Sequence, residues 1–225
     1  MVNESAHGAA LFDIDGTLVD SNYLHVEAWS HAFAEVGVEI DEWRIHRSIG
    51  MDGDTLLETL LGDAVDEHAD TVKELHSKYY RDMRPRLRAF DGARDLLRDL
   101  SERDVDVVLA TSAQPEELGM LREVLDAEKF IAQFTASSDV KEAKPRPDIF
   151  EVALQKVGAA ASASVVVGDT VWDVEAASRA GLPCIGVLSG GVSRAELDDA
   201  GAVAVYADVA ELHEQLEASP LARLL

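Results

Sequence analysis

The stretch LFDIDGTLVDS, residues 11–21, sets Leu11, Phe12 and Ile14 around two acids, Asp13 and Asp15. An ionised carboxylate in an apolar setting is costly unless a cation or hydrogen bonds receive it. Two such acids inside an apolar run therefore belong at the end of a buried strand, where they can do chemistry. Residues 9–14 are apolar continuously rather than alternately, which suits a strand covered on both faces. Gly16 then permits a tight turn, and Thr17 adds a hydroxyl.

Working outward, runs of the same kind recur at 105–110, 164–167 and 184–188, with a weaker one at 202–205. Helical patterns lie at 92–103, 116–125, 148–157, 171–180 and 209–216. That alternation predicts a parallel sheet with helices on both faces. One block breaks the rhythm. From about Asp20 to Pro85 the patterns at 23–36, 41–48, 54–61 and 66–83 are all helical, so this block is an inserted helical module. RPRLRAFDG, residues 84–92, returns the chain to the core.

Composition narrows the function. A chain of 225 residues, 47% hydrophobic, can bury one substantial core and a smaller second module. The net charge of −23 repels phosphate backbones and anionic lipid, so neither nucleic acid nor a membrane is an expected partner. The opening MVNESAHGAA lacks the basic start and apolar stretch of a secretory leader. Cys184 is the single cysteine, read as a small buried hydrophobe, and a reducing cytoplasm is the expected location.

In open parallel sheets, ligands bind outside the carboxyl ends of the strands. Here those ends carry Asp13 and Asp15, then Thr111, then Asp169 of GDTVWD, with Asp173 four residues on. Four negative charges on one rim require a cation, and an all-oxygen donor set suits a hard ion, Mg²⁺. Lys144, in KPRPDIF within a lysine-poor chain, is followed by proline and a helix start and is a candidate site residue, whereas Lys141 suits a solvated loop.

Taken in order, FDIDGTLVDS, LATSA, KPRPDIF and VVVGDTVWDVEAASRAG resemble the four motifs of the haloacid-dehalogenase-like hydrolases, in the branch of phosphatases and β-phosphoglucomutases. The resemblance spans nearly the whole chain. It implies an α/β fold with a doubly wound parallel-sheet (Rossmann-like) core, residues 1–19 and 86–225, carrying an all-helical C1-type cap, residues 20–85. It further implies Asp13 as a nucleophile that becomes an aspartyl-phosphate, and Asp15 as general acid–base. Thr111, Ser112 and Lys144 are the implied ligands of the substrate phosphate. Mg²⁺ is expected on Asp13, the backbone carbonyl of Asp15, and Asp169, with Asp173 close behind. An acid at position 15 suits C–O–P chemistry, since the family's dehalogenases and phosphonate-cleaving members lack it.

The cap loop that helps choose substrate in this family corresponds to IGMDGDT, residues 49–55. Where the mutases place an arginine, this chain has Gly53. Asp20, His25, Met51 and Asp52 are the cap and hinge candidates, Trp29 is assigned to cap packing, and Arg44, Arg47, Lys78 and Arg81 are the cap cations that a second anionic group on a substrate would use. The expected activity is hydrolysis of a small phosphorylated metabolite by a monomer or homodimer. The alternatives are a β-phosphoglucomutase-like mutase and a non-catalytic phosphate-binding protein.

Overall fold

The computed structural model describes residues 7–140 and 144–225, so the reading of Lys141 lies outside the described residues. Six strands form one parallel sheet in the order β3-β2-β1-β4-β5-β6. They are β1 Ala9–Phe12, β2 Asp106–Ala110, β3 Gln133–Thr135, β4 Val165–Gly168, β5 Cys184–Val187 and β6 Ala204–Tyr206. The order reverses between β1 and β4, which pair directly, Phe12 facing Val167. A crevice opens at such a reversal, outside the carboxyl ends of the strands.

The unbroken hydrophobicity of the strands has a direct cause. Ala10 and Phe12 point into one core, shared with Leu96 and Leu100 of α5 (Ala93–Glu102), Leu121 of α6 (Pro115–Leu125) and Leu212 of α10 (Val209–Glu214). Ala9 and Leu11 point into the other, with Phe150 of α7 (Asp148–Val157), Ala177 of α8 (Val171–Arg179) and Leu197 of α9 (Arg194–Ala200). With both faces covered, no strand position among these is left polar. Cys184 is buried in the second core, as a small hydrophobe. Among the described residues no helix is long and apolar enough to cross a membrane.

Between β1 and α5 the chain forms α1 (Asn22–Glu35), α2 (Glu42–Ser48), α3 (Gly53–Leu61) and α4 (Val65–Asp82). These have their own core of Trp29, Phe33, Ile45, Leu57, Leu60 and Val72. The outgoing and returning segments run side by side. Val19 bridges Ala89, the Asp20 N–H donates to the Arg88 carbonyl at 2.9 Å, and the two side chains form an ion pair. Asp20 therefore marks the hinge and not the cavity wall.

Two elements differ from expectation. β3 was not anticipated, because three residues on a sheet edge, one of them an exposed Gln133, carry too little apolar pattern. The helical patterns of the sequence do not include α9. Its seven residues are mostly polar, yet Ser193 and Glu196 form a reciprocal cap at its start.

Candidate active site

The β1 and β4 ends bring three buried acids together. Asp13, Asp169 and Asp173 each offer an oxygen, and those atoms lie within 4.8 Å of one another. Lys144, 1% exposed, enters from the segment before α7. Its Nζ lies 2.5 Å from Asp13 Oδ1 and 2.7 Å from Asp173 Oδ1, and donates to the Ala110 carbonyl at 3.3 Å. One ammonium against three buried carboxylates leaves an excess of two formal negative charges, which matches a divalent cation.

The walls leave room for an ion and little else. Thr17 Oγ1 and Asn22 Nδ2 donate to Asp169 at 2.9 and 2.8 Å, fixing its carboxylate. Asn22 Oδ1 is buried with no hydrogen-bond partner among the described residues. A Cβ at Gly190 would lie 1.7 Å from Asp169 Oδ2, so no side chain is admissible there. Gly16, at φ +73°, turns the chain beside the same oxygen. The donor set and the space suit a small hard cation.

Burial pushes the Asp13 carboxyl up to about 7, against the opposing pull of Lys144 and with help from Asp173 and Asp15. Burial, with Asp173 and Asp13 nearby, raises Asp169 as well. A folded-state pKa above the unfolded one means that the folded chain holds that proton more tightly. The stability this brings is full below the unfolded carboxyl range and is lost as pH rises through about 7. His25, also raised in the fold, acts in the same direction. The chelator-treated protein is therefore expected to melt at lower temperature at pH 8 than at pH 5.5, and Mg²⁺ should flatten that slope. Thermal melts across this range with and without the ion measure it.

Asp15 differs from the expected grouping: its side chain is not part of the acidic triad. Its Oδ1 accepts from Ser21 Oγ at 2.6 Å and pairs with His25 Nε2 at 3.3 Å, which turns the carboxylate toward the cap histidine. Burial pushes this carboxyl up, but the hydrogen bond and charge of His25, and Ser21, outweigh it and hold it below its usual value. Burial lowers the His25 pKa, but the hydrogen bond and charge of Asp15 raise it further, leaving it above the usual histidine value. His25 Nδ1 lies 3.1 Å from His76 Nε2, and burial pushes His76 well below the usual histidine range. Asp173, with its other oxygen accepting from Thr170 Oγ1 at 2.6 Å, is held behind Asp13 and Asp169.

A cavity of about 420 Å³ opens from Asp13 and Asp15 between core and cap. Thr111 and Ser112 line its core side, and Ser112 Oγ donates to the Gly50 carbonyl of the cap loop at 3.2 Å. His25, Trp29, Met51 and Gly53 line the cap side. Asp52 does not. Its carboxylate caps α3, accepting from Asp54 N and Thr55 N, and is spent there. Arg44, Arg47, Lys78 and Arg81 are absent from the wall, and Arg47 is paired with Glu196 on the outer surface. The cap lysine that does reach the cavity is Lys73, ion-paired with Asp54. His76, Glu117 and Asn22 were also missed. Each reaches the site through packing between distant segments, although Asn22, one residue past the quoted motif, lay within reach of a sequence argument.

The family model described as haloacid dehalogenase-like hydrolase matches residues 10–187. The chain belongs to the haloacid dehalogenase-like hydrolases. Within that family it is 31% identical, over 88% of its length and 93% of the relative's, to a phosphorylated carbohydrates phosphatase of Thermotoga maritima. It is 29% identical, over 92% and 90%, to a phosphoglycolate phosphatase of Rhodospirillum rubrum. The crystal structure of a hydrolase from Pseudomonas syringae superposes with a TM-score of 0.89 at 34% identity, covering 94% of this chain and 99% of that one. As in its relatives, a parallel sheet carries the acids and a helical cap covers them.

Proposed function

We propose that this haloacid dehalogenase-like hydrolase is a Mg²⁺-dependent phosphatase of small phosphorylated metabolites, working in the cytoplasm through an aspartyl-phosphate. The observation that carries the reading is the excess of buried carboxylate over ammonium beside an open cavity, with a second, protonatable Asp–His pair facing it. Residues 20–85 act as the cap of a core made from 1–19 and 86–225.

Asp13, Asp169 and the Asp15 carbonyl would hold Mg²⁺, with Asp173 supporting Lys144. When bound, the ion offsets the charge on the nucleophile and on the phosphoryl oxygens. An Asp13 oxygen attacks phosphorus, forming the Asp13–O–P bond as the bond to the substrate alkoxide breaks. Asp15, supplied with the proton that it shares with His25, protonates the departing alkoxide. In the second half Asp15 takes a proton from water, the water oxygen bonds to phosphorus, and Asp13 is released with inorganic phosphate. Lys144, Thr111 and Ser112 hold the phosphoryl oxygens during both transfers.

Hydrolysis is favoured over mutase chemistry because Gly53 lies on the cavity wall where the mutases place an arginine, and the lysine beside it, Lys73, is ion-paired with Asp54. Non-catalytic binding is disfavoured by the complete acid set. Phosphate release from p-nitrophenyl phosphate and a panel of sugar phosphates tests the proposal. Activity should require Mg²⁺ and vanish in EDTA, and Asp169→Asn should raise the Mg²⁺ concentration needed by at least about tenfold. Undiminished turnover in metal-free buffer would refute the mechanism.

A further inference from the structure

The leaving-group half of the cavity has a chemistry of its own, and the phosphate-binding residues do not account for it. Glu117, on the first turns of α6, is 9% exposed and lines the cavity. Its partners are few. One oxygen accepts from the Gln114 N–H at 3.4 Å, and the other lies 3.7 Å from His76 Nδ1, beyond hydrogen-bond reach. A carboxylate buried this far normally has close donors. Glu117 therefore keeps acceptor capacity that faces the cavity.

The rest of the wall agrees. Gln114, Ser77 and Ser112 offer neutral hydrogen-bonding groups, while Trp29, Met51 and Leu56 offer apolar surface. Lys73 is neutralised by Asp54, and among the described residues no other lysine or arginine lines the cavity. His76 is held neutral by burial. The His25 charge is matched by Asp15. Beyond the phosphate, the enclosed charge is therefore negative.

We propose that Glu117 is a specificity-determining residue that selects phosphate esters of polyhydroxylated alcohols, neutral or bearing an amine, and rejects those with a second anionic group. The hydroxyls or ammonium of such a leaving group supply the donors that Glu117 lacks, and C–H faces of a sugar or cyclitol ring meet Trp29 and Leu56. A carboxylate or second phosphate in the same space faces Glu117 with no free cation to receive it. By this reading phosphoglycolate, the substrate in the name of the Rhodospirillum rubrum relative, is a poor substrate here. The inference rests on the phosphatase reading above.

A ring-matched series separates the two claims: glucose 1-phosphate, glucosamine 1-phosphate and glucuronic acid 1-phosphate, compared by kcat/KM with p-nitrophenyl phosphate alongside. The wild-type enzyme should prefer the neutral and amino esters over the acid by at least about tenfold, as expected for one unpaired charge in a partly buried site. Glu117→Gln, which keeps the shape and removes the charge, should narrow that ratio to within about threefold. Gln114→Glu, adding a carboxylate to the same wall, should widen it. Because each readout is a ratio within one protein, a general loss of rate does not imitate it. Release from p-nitrophenyl phosphate with the acid ester equal to or better than the others overturns this inference alone. So does a ratio unmoved by Glu117→Gln. No release from any ester overturns the phosphatase reading and this inference with it.

Discussion

Asp13→Asn is expected to reduce turnover by about 10⁵-fold or more, because it removes the atom that bonds to phosphorus, not a group that assists it. The amide is isosteric, and its loss of charge relieves the crowding with Asp169 and Asp173, so the protein should fold normally. Brief incubation with ³²P-labelled acetyl phosphate, followed by acid quenching, should label the wild-type chain and leave the variant unlabelled. Asp15→Asn provides the contrast. Its nucleophile is intact and its phosphoenzyme should accumulate, because the step that needs a base is slowed. Equal labelling of Asp13→Asn and wild type would place the covalent bond elsewhere.

Lys144→Met should be the most destabilising single change in the core. The lysine is fully enclosed, with its ammonium against Asp13 and Asp173 and its stem among residues such as Phe150. Deleting one partner of a buried ion pair costs about 3–5 kcal/mol. Total stability for a domain is only about 5–15 kcal/mol. Urea unfolding in EDTA should therefore show a large fall in midpoint, and Mg²⁺ should return part of it by binding the folded form alone. An unchanged midpoint would mean that the three carboxylates are already neutral without the lysine. Activity should fall as well, since the phosphoryl oxygens lose their cation.

Much of this arrangement was legible before any coordinates. Asp13, Thr111 and Asp169 follow the ends of β1, β2 and β4, a local geometry that a short motif carries, while Lys144 lies before α7 and Asp173 in the first turn of α8. The helical block after β1 was equally plain, since residues 20–85 read as successive helices with no strand pattern among them. The missed parts share one physical origin. His25 meets His76 across 51 positions of sequence, and Glu117 of the core meets His76 of the cap, so the polar chain from Asp15 exists only once cap and core close. Lys73 lies on α4, far in sequence from the substrate loop, and joins the wall only because α3 and α4 pack together. Asp13 and Asp15, two residues apart, are expected to point the same way while the chain is extended, but β1 ends at Phe12, before either acid.

The paired crossing at Val19–Ala89 and Asp20–Arg88 has an evolutionary consequence. An insertion whose two ends leave the host as adjacent strands is a cassette. It can be lengthened, shortened or exchanged without altering the register of a single strand in the sheet beneath. The acids that perform the reaction are inherited with the sheet, while Trp29, Met51, Leu56 and Lys73 travel with the cassette. Glu117 does not travel. It belongs to the host, so a transplanted cap would bring new walls but inherit the same negative charge at the far end.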